Sequence, residues 1–211
     1  MKFDRHNTFC ISVRNATERR ERMISRFGHF NMDVTMYDAV TPETLKGNFV
    51  QYLNSGQKAC SESHMNLWKH IVSSNLDYAL VLEDDAMFDL KWREKLDELQ
   101  LDDTWDAIFL NASESLKSTF TWVSATEQYL TGGYIISYKG AEALINVFSS
   151  KMYSADWMTS RLQTRGKCYT YFPWLIIQEG HDTTIGGNVK EDHAKVLRCL
   201  SECEYSISNY I

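Results

Sequence analysis

Proline is nearly missing from this 211-residue chain, which has only Pro42 and Pro173, and glycine is limited to ten residues. No Pro-, Gly- or Ser-rich tract marks a linker and no internal repeat is present, so the length fits one domain large enough to bury a core. No apolar run approaches the roughly 18 residues that a membrane-spanning helix needs. The start, Met1 to Thr8, is polar and has no apolar stretch of signal-peptide length; this predicts a soluble, cytoplasmic chain and leaves peripheral contact with a membrane open. Cysteine is scarce as well: five residues, an odd number at irregular spacing, argue against a full disulfide framework and fit a reducing compartment. Cys199 and Cys203 stand four apart, but no further His or Cys cluster completes a zinc site with them. A basic excess is also lacking. With 22 Lys and Arg against 28 Asp and Glu the formal charge is −6, which argues against a nucleic-acid partner.

What is present is ordinary in bulk, 44% apolar and 24% charged, and informative in pattern. Short apolar runs alternate with helical periodicity, the signature of an α/β domain. Strands are expected at Thr8 to Val13, Asp33 to Tyr37, Asp77 to Leu82, Asp106 to Leu110 and Tyr134 to Ser137. Tyr169 to Ile177 reads as a late strand that Pro173 interrupts, hence an edge or loop-like segment. Helices are expected from Thr17 to Phe27 with Thr17 as N-cap, in a short turn opened by Thr41-Pro42-Glu43, and in a helix capped by Ser61 that carries Met65, Trp68, Ile71 and Val72. Lys91 to Leu99, Gly140 to Phe148 and a helix capped by Ser154 complete the set. Residues 1–188 are read as the main domain, and 189–211 as a helix or tail packed upon it.

The feature that carries chemistry is Glu83-Asp84-Asp85, directly after Tyr78-Ala79-Leu80-Val81-Leu82. Three consecutive carboxylates at the end of a buried strand repel one another and call for a compensating charge. Strand geometry sends Glu83 and Asp85 to one face and Asp84 to the other unless the chain turns there. In open α/β sheets ligands bind beyond the carboxyl ends of the strands. Hard cations such as Mn²⁺ and Mg²⁺ prefer carboxylate oxygens and leave positions for substrate phosphates. A polar turn of solvated acids would look the same in isolation; the buried strand before it favours the functional reading.

The stretch Tyr78 to Ala86 resembles glycosyltransferase family 25. Four further blocks fall in the family's order: Ile11 to Arg22; Asp38-Ala39-Val40; Cys60-Ser61-Glu62-Ser63-His64 with Trp68; and Gly133-Tyr134-Ile135-Ile136-Ser137 with Gly140-Ala141. Together they span about Phe9 to Ile185. The resemblance implies a GT-A fold, a single Rossmann-like domain with a mixed, mostly parallel sheet flanked by helices. It also implies an inverting, Mn²⁺-dependent transfer from a UDP-sugar, and maps the metal motif onto Glu83, Asp84 and Asp85, with Asp85 the direct ligand. Two departures stand out: Cys10-Ile11-Ser12-Val13 replaces the usual Ile-Asn-Leu, and Ala59 stands where a Gly usually precedes the Cys.

Arg14 and Arg19, with Arg20, could clamp phosphate in a bidentate way, although a solvated helix face would use them too. Ala39 and Val40 would line the nucleoside by backbone contact. His64 reads first as a structural histidine and second as a donor contact, while Trp68 reads as core. Inversion needs a base for the acceptor hydroxyl. Asp156, just before Trp157 at a helix start, is the first choice; a dipole-facing Asp is the plainer use. Glu179 and Asp182 are its rivals, and His181 or Asp182 could close the metal's coordination shell. The expected function is transfer of galactose or glucose to a hydroxyl of a glycan or a hydroxylated side chain. The alternatives are a non-catalytic GT-A-like module that binds nucleotide-sugar or a partner, and a metal-dependent phosphoesterase, for which the sequence offers no second His/Asp cluster.

Overall fold

The computed structural model describes residues 1–102, 104–111, 120–164, 166–180 and 189–211. Nine strands and six α-helices are formed among these residues: β1 Thr8–Ser12, α1 Thr17–His29, β2 Thr35–Asp38, α2 Ser55–Ser73, β3 Tyr78–Glu83, β4 Ala86–Phe88, α3 Trp92–Asp97, β5 Ala107–Phe109, β6 Thr121–Ser124, β7 Gly133–Ser137, α4 Tyr138–Phe148, α5 Ala155–Gln163, β8 Cys168–Phe172, β9 Ile176–Gln178 and α6 Val189–Glu202. Seven strands make the central sheet in the order β2-β1-β3-β7-β5-β8-β6, and β4 pairs with β9 in a small second sheet. Five of the seven run one way; β7 and β6 are antiparallel to their neighbours. This is the mixed, mostly parallel GT-A-like sheet with helices on both sides.

The central strands are apolar throughout because both faces are covered. Phe9, Ala79, Val81 and Ile136 face a layer built by Met65, Trp68 and Ile71 of α2, Leu144 of α4 and Met158 of α5. Their alternating neighbours Cys10, Leu80, Leu82 and Ile135 face Met23 and Phe27 of α1 and Trp92 and Leu96 of α3. The two-residue period of a strand delivers this sorting. No helix among the described residues is long and apolar enough to cross a membrane, and all five cysteines are free.

Several boundaries differ from expectation, each for a local reason. α1 begins at Thr17, so Ala16 occupies the cap position and the Thr17 hydroxyl caps nothing. α2 starts at Ser55, six residues before Ser61. Asn54 accepts from Gln57 N while the Gln57 side chain returns to Asn54 N, a reciprocal box that outcompetes a later start. Ser61 is inside the helix, its hydroxyl donating to Gln57 O one turn back, and His64 is therefore mid-helix. The segment from 169 to 177 is two strands, not one. β8 is interior, between β5 and β6, and Pro173 stands after its last residue, where no ladder donor is needed. Residues beyond Pro173 leave for the small sheet, where β9 pairs with β4. The short strands β4 and β6 had no place in the sequence reading.

The C-terminal segment packs on this second sheet. Phe88 N donates to Ile211 O at 2.8 Å and Ile211 N returns to Phe88 O at 3.0 Å, while Leu200 and Tyr210 pack with Phe172, Trp174 and Ile177.

Candidate functional site

A cleft of about 780 Å³ opens at the carboxyl ends of β1 and β3, within the size range of small-molecule sites. Ser12, Arg19, Val40 and the acidic triple form one wall; Asp156 at the start of α5 and His193 on α6 line the others. The acidic triple does not alternate as a strand. β3 ends at Glu83 and the chain turns at Asp84-Asp85 before β4, which gives the three carboxylates three different surroundings.

Glu83 is enclosed by donors. Thr131 Oγ1 donates to its Oε1 at 2.6 Å, and His64 Nε2 lies 3.2 Å from the same oxygen. Behind them the Tyr134 hydroxyl accepts from Trp68 Nε1 at 2.9 Å and lies 2.8 Å from His64 Nδ1. A single arrangement of hydrogens satisfies every member: Tyr134 donates to Nδ1, and Nε2–H donates to Glu83. Burial raises the Glu83 carboxyl, but the His64 and Thr131 hydrogen bonds outweigh it and hold the group below the usual glutamate value. Thr131 is delivered by the Gly132-Gly133 entry to β7. A Cβ on Gly132 would stand 2.0 Å from Asn111 Oδ1, so the loop approaches β5 only with glycine there.

Asp84 is also occupied. Ser12 Oγ donates to its Oδ2 at 2.6 Å and Arg19 pairs with its Oδ1 at 2.6 Å; burial still pushes the group above the usual aspartate value. Asp85 is the least compensated. Arg19 reaches it only at 3.4 Å and Gln178 Nε2 at 3.3 Å. Burial, then repulsion from Glu83, push its carboxyl up to about 7 against the pull of Arg19. An oxygen donor set with spare acceptor capacity and too little positive charge is what a hard divalent cation requires, so these residues fit such an ion.

The remaining predicted residues separate. Ala39 and Val40 line the cleft, and Val40 N is held by Ser63 Oγ at 2.8 Å. Asp156 lines it too, with Oδ1 accepting from Trp157 N at 2.7 Å. Arg14 is turned outward, its side chain 79% exposed and paired with Asp38; Arg20 holds Asp38 and Ser12 O. Glu179 points away from the cleft into a pair of arginines, Arg22 at 3.1 Å and Arg26 closer still. That geometry does not bring Glu179 to an acceptor hydroxyl. His181 and Asp182 lie outside the described residues.

The structure adds residues that the sequence did not single out. Gln178 reaches Asp85 from β9. α6 supplies a wall of the cleft through His193, whose Nδ1 meets Gln178 O at 3.1 Å. His193 packs so closely on Gly180 (φ +74°) that a Cβ there would fall 2.3 Å from the ring. An apolar stripe of Val196 and Leu200 on an otherwise charged helix was the available signal.

Residues 5–159 match Glycosyltransferase family 25 (LPS biosynthesis protein). The chain belongs to this family. Procollagen galactosyltransferase 1-B of Xenopus laevis is 30% identical, with 69% of this chain and 28% of that protein covered. Human procollagen galactosyltransferase 2 is 27% identical over 69% of this chain and 28% of its own length. A Rattus norvegicus relative named probable inactive glycosyltransferase 25 family member 3 is 26% identical, with 69% and 30% covered. The family 25 chain thus spans less than a third of the length of these curated relatives. The match ends at residue 159, so it covers the acidic triple and Asp156 but neither Gln178 nor α6.

Proposed function

We propose that this chain is an inverting hexosyltransferase module that moves galactose or glucose from a UDP-sugar to a hydroxyl of a glycan or a hydroxylated side chain. The observation that carries the reading is Asp85, a buried carboxylate without adequate compensation beside Glu83 and Asp84, at the mouth of a cleft of nucleotide-sugar size. Asp85, with Glu83 adjoining, would hold Mn²⁺ or Mg²⁺, which when bound supplies the charge that stabilises a leaving diphosphate.

The chain's own residues would do the rest. The backbone of Ala39 and Val40 would line the nucleoside, and Arg19, released in part from Asp84, would face its phosphates. Asp156 would take the proton from the acceptor hydroxyl as that oxygen bonds to the anomeric carbon and the bond from that carbon to the diphosphate breaks. Attack from the face opposite the leaving group inverts the centre.

A second reading has its own support. Arg19 already sits against both Asp84 and Asp85, and such a cation could stand in for a metal in a module that binds a nucleotide-sugar without turning it over. One experiment separates the two: UDP release from a panel of UDP-sugars, with Mn²⁺ and with chelator, for the wild type, Asp85→Asn and Asp156→Asn. The transferase reading expects chelator-sensitive release, cut about a hundredfold or more in Asp85→Asn. It expects Asp156→Asn to lose transfer while keeping UDP binding. UDP-sugar binding with no release would select the second reading, and full activity in Asp156→Asn would remove that residue from the role of base.

A further inference from the structure

We propose that Cys60, His64 and Glu83 form a second site, sharing Glu83 with the acidic triple, for a soft divalent ion of the Zn²⁺ type. One ligand atom from each residue lies within 4.8 Å of the others. Cys60 and His64 stand four apart in α2, the spacing that stacks two side chains on one helix face, and Glu83 meets them from the end of β3. Ligands around a tetrahedral zinc stand roughly 3.5 Å apart. His64 Nε2 and Glu83 Oε1 are already at 3.2 Å, so small side-chain shifts complete a three-ligand set.

Three further features fit. All three residues line the cleft, the side from which a fourth ligand would enter, as in zinc sites that keep an open place. His64 has an outer partner ready: its Nδ1 lies 2.8 Å from the Tyr134 hydroxyl, which Trp68 fixes from behind. Ligating imidazoles commonly pass their second N–H to such a group. The donor set also sorts ions, because thiolate and imidazole favour zinc whereas the oxygen ligands at Asp85 favour manganese and magnesium. On binding, the Cys60 thiol loses its proton to solvent. His64 shifts its proton from Nε2 to Nδ1, and the Tyr134 hydroxyl, which donates to Nδ1 in the metal-free protein, turns its hydrogen away so that its oxygen accepts from Nδ1–H. Glu83 would be drawn from Thr131 toward the ion, so a soft metal here would oppose a hard one at Asp85. The inference does not depend on the transferase reading, and its test measures no transfer.

The test uses the full chain without added Mg²⁺ and with Co²⁺ as the probe, read at a band that only a cysteine ligand gives. The wild type should bind one Co²⁺ with thiolate-to-metal charge-transfer absorption, and Zn²⁺ should displace it. Cys60→Ser and Cys60→Ala should lose that band and weaken Zn²⁺ binding, measured against a chromophoric chelator, at least about tenfold. Alanine suits a helix interior, and far-ultraviolet circular dichroism checks that α2 persists. The double variant Cys199→Ser/Cys203→Ser should keep the band. In the wild type, Zn²⁺ should slow alkylation of Cys60, read by mass spectrometry, which requires no variant. Absence of the band in the wild type, its survival in both Cys60 variants, its loss in the Cys199/Cys203 variant, or unprotected Cys60 would each overturn the proposal.

Discussion

Two acidic corners of this molecule sit either side of Arg19 and Arg22 on α1, and they are compensated very differently. At Glu179 one carboxylate meets two guanidiniums, Arg22 and Arg26, and the group is almost fully enclosed. At Asp84 and Asp85 two carboxylates share one guanidinium, Arg19, with Glu83 adding a third negative charge nearby. Burial alone would raise every one of these groups. Glu179 is nevertheless held below the usual value by Arg22 and Arg26, whereas Asp85 is driven up to about 7. The first corner is closed and holds α1 to the end of β9; the second is left open toward a cleft. Incomplete compensation marks the site more clearly than the number of acids does.

The largest expected effect tests the closed corner. Glu179→Gln keeps the shape but leaves two arginines, one of them with a side chain only 12% exposed, without a counter-charge. Breaking a buried pair in this way costs about 3–5 kcal/mol, and denaturant unfolding should report it. A loss near zero would mean that the two arginines find solvent easily and that the corner is not closed.

The open corner should respond with the opposite sign. Asp85 has a folded-state value above its unfolded one, so the folded protein holds the extra proton between about pH 4 and about 7. Its contribution is therefore full at low pH and lost as pH rises to about 7. Glu179 is depressed, so its contribution is present above the normal glutamate range and lost as pH falls below it. With chelator at pH 8, Asp85→Asn should then be more stable than the wild type by roughly 1–4 kcal/mol, the upper bound being about three pH units at 1.36 kcal/mol each. The difference should vanish near pH 4. Equal stability of the two proteins across pH 4–8 would show that Asp85 is compensated after all.

How much of this contrast the sequence displayed depends on distance along the chain. Tyr78 to Asp85 is legible because an apolar run and the acids that end it are contiguous, and the strand they predict forms as β3. The Thr41-Pro42 turn is legible for the same reason. Asn54 and Gln57 are close together too, yet Ser61 is an equally good cap by residue type, and the competition is decided by which side chain closes a reciprocal pair. Glu179 reads as a rival base from its place in the late loop, and its partner Arg22 lies 157 positions away, a pairing that no local pattern announces. Arg14 and Arg19 look alike in sequence; Arg14 falls in the turn before α1 and pairs with Asp38, while Arg19 is on α1, whose inward side is fixed by the packing of Met23 and Phe27. The segment 189–211 reads only as a helix or a tail, and its helix α6 is not legible as a wall of the cleft because few of its residues are buried.

A third, smaller corner sharpens the comparison. Asp89 is fully buried beyond β4, yet Lys95 Nζ lies 2.7 Å from its Oδ2, Lys91 N donates to its Oδ1 at 2.7 Å, and the Tyr205 hydroxyl bonds to the same Oδ2. Charge here is matched one to one, and Tyr205 is an addition that ties the segment after α6 to the core. Tyr205→Phe removes two hydrogen bonds, the one donated to Asp89 and the one the hydroxyl accepts from Lys95 Nζ at 2.8 Å, while leaving the Lys95–Asp89 pair in place, so the expected loss is about 1–3 kcal/mol, measured by thermal unfolding. Because Asp89 remains matched, UDP-sugar binding in the cleft should be unchanged even though α6 lines it. Weakened binding in Tyr205→Phe would mean that the anchoring of α6 sets the shape of the site, and that the closed and open corners are mechanically one unit.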